Sequence, residues 1–131
     1  MTDAFDANVL IAAARPGDAT DADRLVISQS SNRIGSVVLL PEVLTKPLQT
    51  GDRAEIATLT RFLASIELKS VDVEIADAAV ALGAKYRLKA ADAIHLATAV
   101  VWGAERFYTH DTKDFGLHIT EIDVVRPGAA D

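Results

Sequence analysis

Short strand-like runs alternate with helix-like segments along almost the whole chain. Apolar runs predict strands at about residues 3–7, 34–39, 71–73, 106–109 and 119–125. Periodic apolar positions predict helices over residues 8–14, 21–29, 53–66, 73–86 and 91–102. One more helix is expected to have Pro41 in its first turn and to end at Pro47. Strands joined through helices form parallel sheets with helices on both faces. We therefore expect a three-layer α/β/α domain with a central, mainly parallel sheet of about five strands.

The length of 131 residues fits one domain covering residues 1–131, with residues 126–131 as a flexible tail. Half of the residues are hydrophobic, which is enough for a packed core. No apolar run reaches the roughly 18 residues of a membrane-spanning helix, and the N-terminus shows no secretion signal. We therefore expect a cytoplasmic protein without a membrane partner. The absence of cysteine excludes disulfides, thiolate metal ligands and cysteine nucleophiles.

The net charge of −6 is unusual for a protein that binds nucleic acid, because such proteins neutralise phosphates with basic residues. Taken alone, the charge argues against a nucleic-acid partner. The conflict eases if several acids are gathered in one place to hold cations, since the cations would then meet the phosphate.

Acidic residues follow three of the predicted strands. Asp6 leaves the first strand, and Glu42 lies just after the second. Asp111 follows the strand that ends at Thr109. Ligands of open parallel sheets bind outside the carboxyl ends of the strands, so these acids are expected at one edge. Each also has a simpler explanation, since acids cap helices, favour first helical turns and occur in tight turns.

Two further acids extend this prediction. Asp92 lies in the first turn of a helix of small and apolar residues, where a charged side chain is unusual. Asp114 follows Asp111 by three residues and could bind a metal directly or through water. Clustered carboxylates repel one another unless divalent cations neutralise them, and oxygen ligands without thiols favour Mg²⁺ or Mn²⁺. Either two ions or one ion with a carboxylate-held water would serve phosphodiester cleavage.

Four segments of the chain together resemble the signature of PIN-domain ribonucleases. These segments are FDANVLI from residue 5, PEVL from residue 41, ADAIHLATA from residue 91 and YTHDTKDF from residue 108. The resemblance runs from about residue 3 to residue 125, and the third segment is the most specific. Ala7 departs from the family pattern, because most members have Thr or Ser there.

This resemblance implies an RNA-cleaving enzyme with a Mg²⁺ or Mn²⁺ site. It assigns the catalytic and metal-binding roles to Asp6, Glu42, Asp92 and Asp111, with Asp114 as a further metal ligand; family members differ in whether the acid at Asp111 or at Asp114 is used. Compact members of the family include VapC-type toxins of type II toxin–antitoxin pairs. The resemblance therefore also implies RNA as substrate, a cognate antitoxin whose tail lies across the acidic groove, and a homodimer.

Other interpretations of the same residues stay open at this stage. The chain could be a degenerate PIN module that only binds a protein or RNA partner, although all four acids are present. An aspartyl-phosphate phosphotransferase is disfavoured, because the second acid of its Asp-x-Asp pattern is missing after Asp6. His95 is expected to have a structural hydrogen-bonding role, and His110 is assigned no catalytic role. The basic residues Lys85, Arg87 and Lys89 form either a solvated helix end or a phosphate-binding group.

Overall fold

A computed structural model describes residues 1–17 and 21–129 of the chain. Its strands are β1 (Thr2–Phe5), β2 (Asn32–Ser36), β3 (Glu67–Lys69), β4 (Arg106–Tyr108) and β5 (Asp123–Val125). They form one sheet in the order β3-β2-β1-β4-β5, and every neighbouring pair is parallel. The predicted parallel sheet of five strands is confirmed. The central strand β1 ends directly before Asp6, and its neighbour β4 ends three residues before Asp111.

Helices cover both faces of the sheet. The described residues form α1 (Ala7–Ala14), α2 (Asp21–Gln29), α3 (Leu39–Thr50), α4 (Arg53–Ala64), α5 (Val73–Tyr86) and α6 (Ala90–Val101). Successive strand residues point to opposite faces. Ala4 and Phe107 accordingly belong to the core beneath α5 and α6, whereas Phe5 and Tyr108 belong to the core beneath α1, α3 and α4. These two cores on either side of the sheet confirm the three-layer α/β/α architecture.

The second strand ends earlier than its apolar sequence predicted. We expected residues 34–39 to be extended, but β2 stops at Ser36 and α3 begins at Leu39. The hydroxyl of Ser36 accepts a hydrogen bond from the Val38 N–H, and this bond supports the turn between them. Leu39 is fully buried and packs back onto β2, where a Cβ at Gly35 would lie 2.7 Å from the Leu39 Cδ1. A short apolar run does not distinguish a buried strand from the start of a buried helix.

Pro47 does not end α3, contrary to the prediction. The helix continues through Pro47 to Thr50 and is capped by Gly51, whose φ of 70° is left-handed. Glycine adopts this conformation without strain and commonly follows the last residue of a helix. The N–H groups of Gly51 and Asp52 both reach the Pro47 carbonyl. The end of α3 is therefore decided by the glycine.

Two further strand boundaries differ from the prediction. β3 occupies Glu67–Lys69 rather than residues 71–73, because Asp72 caps α5 by accepting a hydrogen bond from the Ile75 N–H at 2.9 Å. β5 covers only Asp123–Val125, and the buried residues Ile119 and Ile122 precede it in a loop. In both cases an apolar side chain outside the sheet produced the strand-like pattern.

No described helix combines the length and the apolar character that crossing a bilayer requires. In the predicted tail, residues 126–129 are described and contain a turn in which the Ala129 N–H bonds the Arg126 carbonyl at 3.0 Å. Residues 130 and 131 lie outside the described part of the chain. The flexibility of this tail stays a prediction.

Candidate metal centre

Three of the predicted acids meet at the carboxyl edge of the sheet. One carboxylate oxygen from each of Asp92, Asp111 and Asp114 lies within 4.8 Å of the other two, and all three residues are half-buried. Asp92 comes from the first turn of α6, and the other two come from the loop that leaves β4. The structure therefore places both Asp111 and Asp114 in the cluster.

Asp6 lies beside this cluster and is almost completely buried. It caps α1 by accepting a hydrogen bond from the Ala7 N–H at 2.8 Å, as the simpler explanation anticipated. Its other oxygen accepts from the Thr109 hydroxyl at 2.8 Å and from the Asn8 amide at 3.3 Å. Burial raises the pKa of Asp6, and the hydrogen bond from Thr109 opposes that rise. Asp6 is thus both a helix cap and a fixed acid of the site.

The electrostatic surroundings of Asp92 connect it to the other acids. Burial is the largest cause of its raised pKa, followed by the negative charges of Asp6 and Asp111. His95 partly opposes this rise, and Asp114 adds to it. Carboxylates this close together ionise reluctantly until a cation neutralises them. Asp6, Asp92, Asp111 and Asp114 therefore form one electrostatic unit.

Asp111 is held in place by its own loop. Its Oδ1 accepts hydrogen bonds from the backbone N–H groups of Lys113 at 3.1 Å and Asp114 at 3.0 Å. Its own N–H donates to the Thr109 hydroxyl oxygen at 3.0 Å. The turn role anticipated for this residue is present, and the same turn brings Asp114 back toward Asp92.

Glu42 is not part of the three-carboxylate group. Its Oε1 contacts the Nε2 of His95, whose side chain is buried. The charge of Glu42 still acts on the pKa of Asp6 and raises it, so Glu42 borders the site. The expected hydrogen-bonding role of His95 has a defined partner, which is this carboxylate.

Sequence reasoning missed two residues of the hydrogen-bond network around the acids. Thr109 donates to Asp6 and accepts from the backbone of Asp111, and it is fully buried. Asp23 of α2 is also buried and contacts the ring of His110. The polar Thr109 at the end of a buried strand was a usable signal. Asp23 carried no such signal, because an acid in a first helical turn is ordinary.

The basic residues near the site differ in their partners. Lys85 forms an ion pair with Glu121 at 3.0 Å. Arg87 ends α5 in a left-handed conformation, and both Arg87 and Lys89 are exposed and lack an acidic partner among the described residues. These two residues lie between α5 and the first turn of α6, which carries Asp92.

The chain belongs to the PIN domain family, whose model matches residues 4–116. A toxin–antitoxin complex from Klebsiella pneumoniae contains a similar chain, with 27% identity and a TM-score of 0.78 over 95% of this chain and 97% of that one. The VapBC2 complex of Rickettsia felis, bound to a DNA fragment from its promoter, matches with 14% identity and a TM-score of 0.74, covering 96% of this chain and 98% of that one.

A third similar structure is the VapC20 toxin of Mycobacterium tuberculosis, which cleaves the sarcin-ricin loop. It matches with 18% identity and a TM-score of 0.71, covering 92% of this chain and 98% of that one. With identities of 14% and 18%, these last two matches show a likeness of fold alone. No curated protein sequence matches the chain.

Proposed function

We propose that this chain is a divalent-metal-dependent endoribonuclease that cleaves RNA phosphodiester bonds, and that it is the toxin of a type II toxin–antitoxin pair. The observation that carries the proposal is the group of Asp92, Asp111 and Asp114 at the carboxyl edge of a PIN fold. This edge is where parallel α/β sheets bind their ligands. Cleavage of RNA by such a chain would take place in the cytoplasm.

The donor set fits Mg²⁺ or Mn²⁺. The cluster offers only carboxylate oxygens, and hard divalent cations prefer such ligands. The three carboxylate oxygens lie within 4.8 Å of one another, so small side-chain movements would let them share one ion. When bound, such an ion lowers the pKa of a water and neutralises phosphate charge.

The protein supplies a fixed arrangement of acids for this chemistry. Asp92, Asp111 and Asp114 would hold the ion, and Asp6 lies next to them. The hydrogen bonds from Thr109 and Asn8 set the orientation of the Asp6 carboxylate. Pre-set ligands favour catalysis, because little reorganisation is needed when the phosphate arrives. The family pattern has Thr or Ser where this chain has Ala7, and in this chain the hydroxyl of Thr109 donates to Asp6.

Glu42 has a different role in this proposal. Its contact with His95 holds one carboxylate oxygen at the border of the site. The second oxygen can accept a hydrogen bond from a water, or join the ligands of a metal. A carboxylate that orients a water and accepts its proton is a general base. We therefore propose that Glu42 is a catalytic residue and that His95 orients its carboxylate.

An antitoxin is the proposed protein partner. The similar chain from Klebsiella pneumoniae is part of a toxin–antitoxin complex. Without a cation the carboxylate cluster is strongly negative, so an arginine on an antitoxin tail would pair with it in a two-pronged geometry. Inhibition should weaken when that arginine becomes alanine, and Asp92→Asn should weaken binding of the tail. If neither substitution weakens the interaction, the antitoxin binds elsewhere on the surface.

We also propose that the chain forms a homodimer, which light scattering of the purified chain would test.

RNA cleavage by the purified chain tests the proposed activity. We expect fragments of a structured RNA in Mn²⁺ or Mg²⁺, and no fragments in excess chelator. Asp92→Asn should abolish cleavage, whereas Asp77→Asn should not, since Asp77 is an exposed acid on α5. Full cleavage in chelator would reject the metal-dependent mechanism. RNA that is bound but never cut would favour the degenerate, binding-only module.

A further inference from the structure

Asp23 and His110 form a partly buried contact next to the loop that carries Asp111. Asp23 belongs to the first turn of α2, and its side chain is only 4% exposed. Its Oδ1 contacts the Nε2 of His110, which follows Thr109 and precedes Asp111. A carboxylate accepts hydrogen bonds, so the ring of His110 is the donor. This contact joins α2 to the loop that carries two of the clustered acids.

The backbone of His110 is held from the other side. Its N–H donates to Oδ1 of Asn8 at 3.1 Å, and the Asn8 amide donates to Oδ2 of Asp6 at 3.3 Å. The hydroxyl of Thr109 joins the same network, through its bonds with Asp6 and with the Asp111 N–H. The His110 segment is thus fixed to α1 by its main chain and to α2 by its side chain.

We propose that Asp23 is a positioning residue for the metal centre, acting through His110 on the loop that bears Asp111 and Asp114. Without Asp23 the His110 ring loses its partner on α2, and the segment keeps its main-chain bond to Asn8 and the bonds of Thr109 but has no side-chain contact with α2. Metal ligands need placement to within about 0.5 Å, and this placement depends on the groups behind them. The inference rests on the proposed metal-dependent function. It adds that α2, which supplies no acid to the cluster, controls the geometry of that cluster.

The competing explanation is that Asp23 only stabilises the start of α2. Asp21 is the matched comparison, because it is also a first-turn acid of α2 but is exposed and pairs with Arg24. Asp21→Asn therefore removes a first-turn charge without touching His110. Ile27→Val, at another buried position of α2, lowers stability without touching His110 either.

The experiment is a titration of the metal-free full chain with Mn²⁺ alone. Binding is measured by calorimetry or by the electron paramagnetic resonance signal of free Mn²⁺. Removal of a residue that orients metal ligands typically lowers metal affinity 10–100-fold. We expect Asp23→Leu to weaken Mn²⁺ binding about tenfold. Asp23→Asn should restore most of the affinity, because its side-chain oxygen still accepts from His110. Asp21→Asn and Ile27→Val should bind Mn²⁺ as the wild type does.

His110→Ala provides a second route if Asp23→Leu does not fold. It should show a similar loss of affinity, and a double variant of both positions should lose no more than either single variant, because the two residues act through one contact. Wild-type Mn²⁺ affinity in Asp23→Leu, together with a lower melting temperature, would overturn the proposal and leave a helix-stabilising role.

This titration separates the two proposals, because it does not require RNA. If the wild type binds Mn²⁺ and Asp23→Leu binds it weakly, but no RNA is cut, the nuclease proposal fails and the positioning role of Asp23 stands. If RNA is cut and Asp23→Leu binds Mn²⁺ normally, only the positioning role fails. A wild-type chain that binds no Mn²⁺ would overturn both.

Discussion

Replacing Asp92 by asparagine should make the metal-free protein more stable while removing its activity. Asn has nearly the same shape as Asp, and no described residue forms a side-chain hydrogen bond with Asp92, so the substitution mainly removes a charge. At 4.8 Å and in a water-like dielectric, each repulsion with the Asp111 and Asp114 carboxylates costs about 1 kcal/mol. Solvent and salt screen half-buried groups, so we expect a net gain of about 1–2 kcal/mol.

Thermal unfolding in excess chelator at low salt would measure this gain. For a domain of this size, about 1–2 kcal/mol corresponds to a rise in melting temperature of roughly 4–8 °C. The difference should also depend on pH. The pKa of Asp92 is raised in the folded protein, so both proteins are neutral at this position below the ordinary value of 3.8, and the variant has no advantage there. The advantage grows as pH rises from the ordinary value toward the raised folded-state pKa, and it is complete above that pKa.

The control is Asp77→Asn, which removes one charge from an exposed position on α5 and should leave the melting temperature almost unchanged. An Asp92→Asn protein that melts at or below the wild-type temperature in chelator at pH 7 would refute the electrostatic argument. A variant that gains the same stability at pH 3 would refute it as well, because the gain would then have no connection with charge.

Three other perturbations test separate parts of the site. Saturating Mn²⁺ should stabilise the wild type by about 2.7 kcal/mol at 100 times its dissociation constant, and an unchanged melting temperature would contradict a metal site. Thr109→Val should cost about 1–3 kcal/mol in denaturant unfolding, because it removes a buried donor to Asp6; a variant as stable as the wild type would show that this bond is unimportant. Joint replacement of Arg87 and Lys89 by glutamine should raise KM for RNA with little change in kcat, because both cations are exposed and free to contact phosphate. Lys85→Gln is the comparison, since Glu121 already engages that lysine, and an equal effect would argue against the assignment.

Much of the fold was predictable from local sequence patterns. The alternation of strand-like and helix-like segments required a parallel sheet between helices, and the structure has this arrangement. The errors were in boundaries, at residues 37–39, 71–73 and 119–122 and at Pro47. In the structure, Leu39 begins α3 and Pro47 lies within it, residues 71–73 lead into α5, and residues 119–122 form a loop with buried side chains. Periodicity measures the burial of a residue, and burial alone does not determine the backbone conformation.

The candidate site was also predictable from the sequence only in part. Sequence alone determined which acids follow the strands and which one begins the helix of small residues, because parallel strands bring their carboxyl ends to one edge. Only the tertiary structure decided that Asp92, Asp111 and Asp114 converge while Glu42 lies outside their group. The two histidine–carboxylate pairs beside the site span long stretches of chain: 53 residues separate Glu42 from His95, and 87 separate Asp23 from His110. Contacts of this range arise from helix packing across the sheet, so no local pattern in the sequence records them.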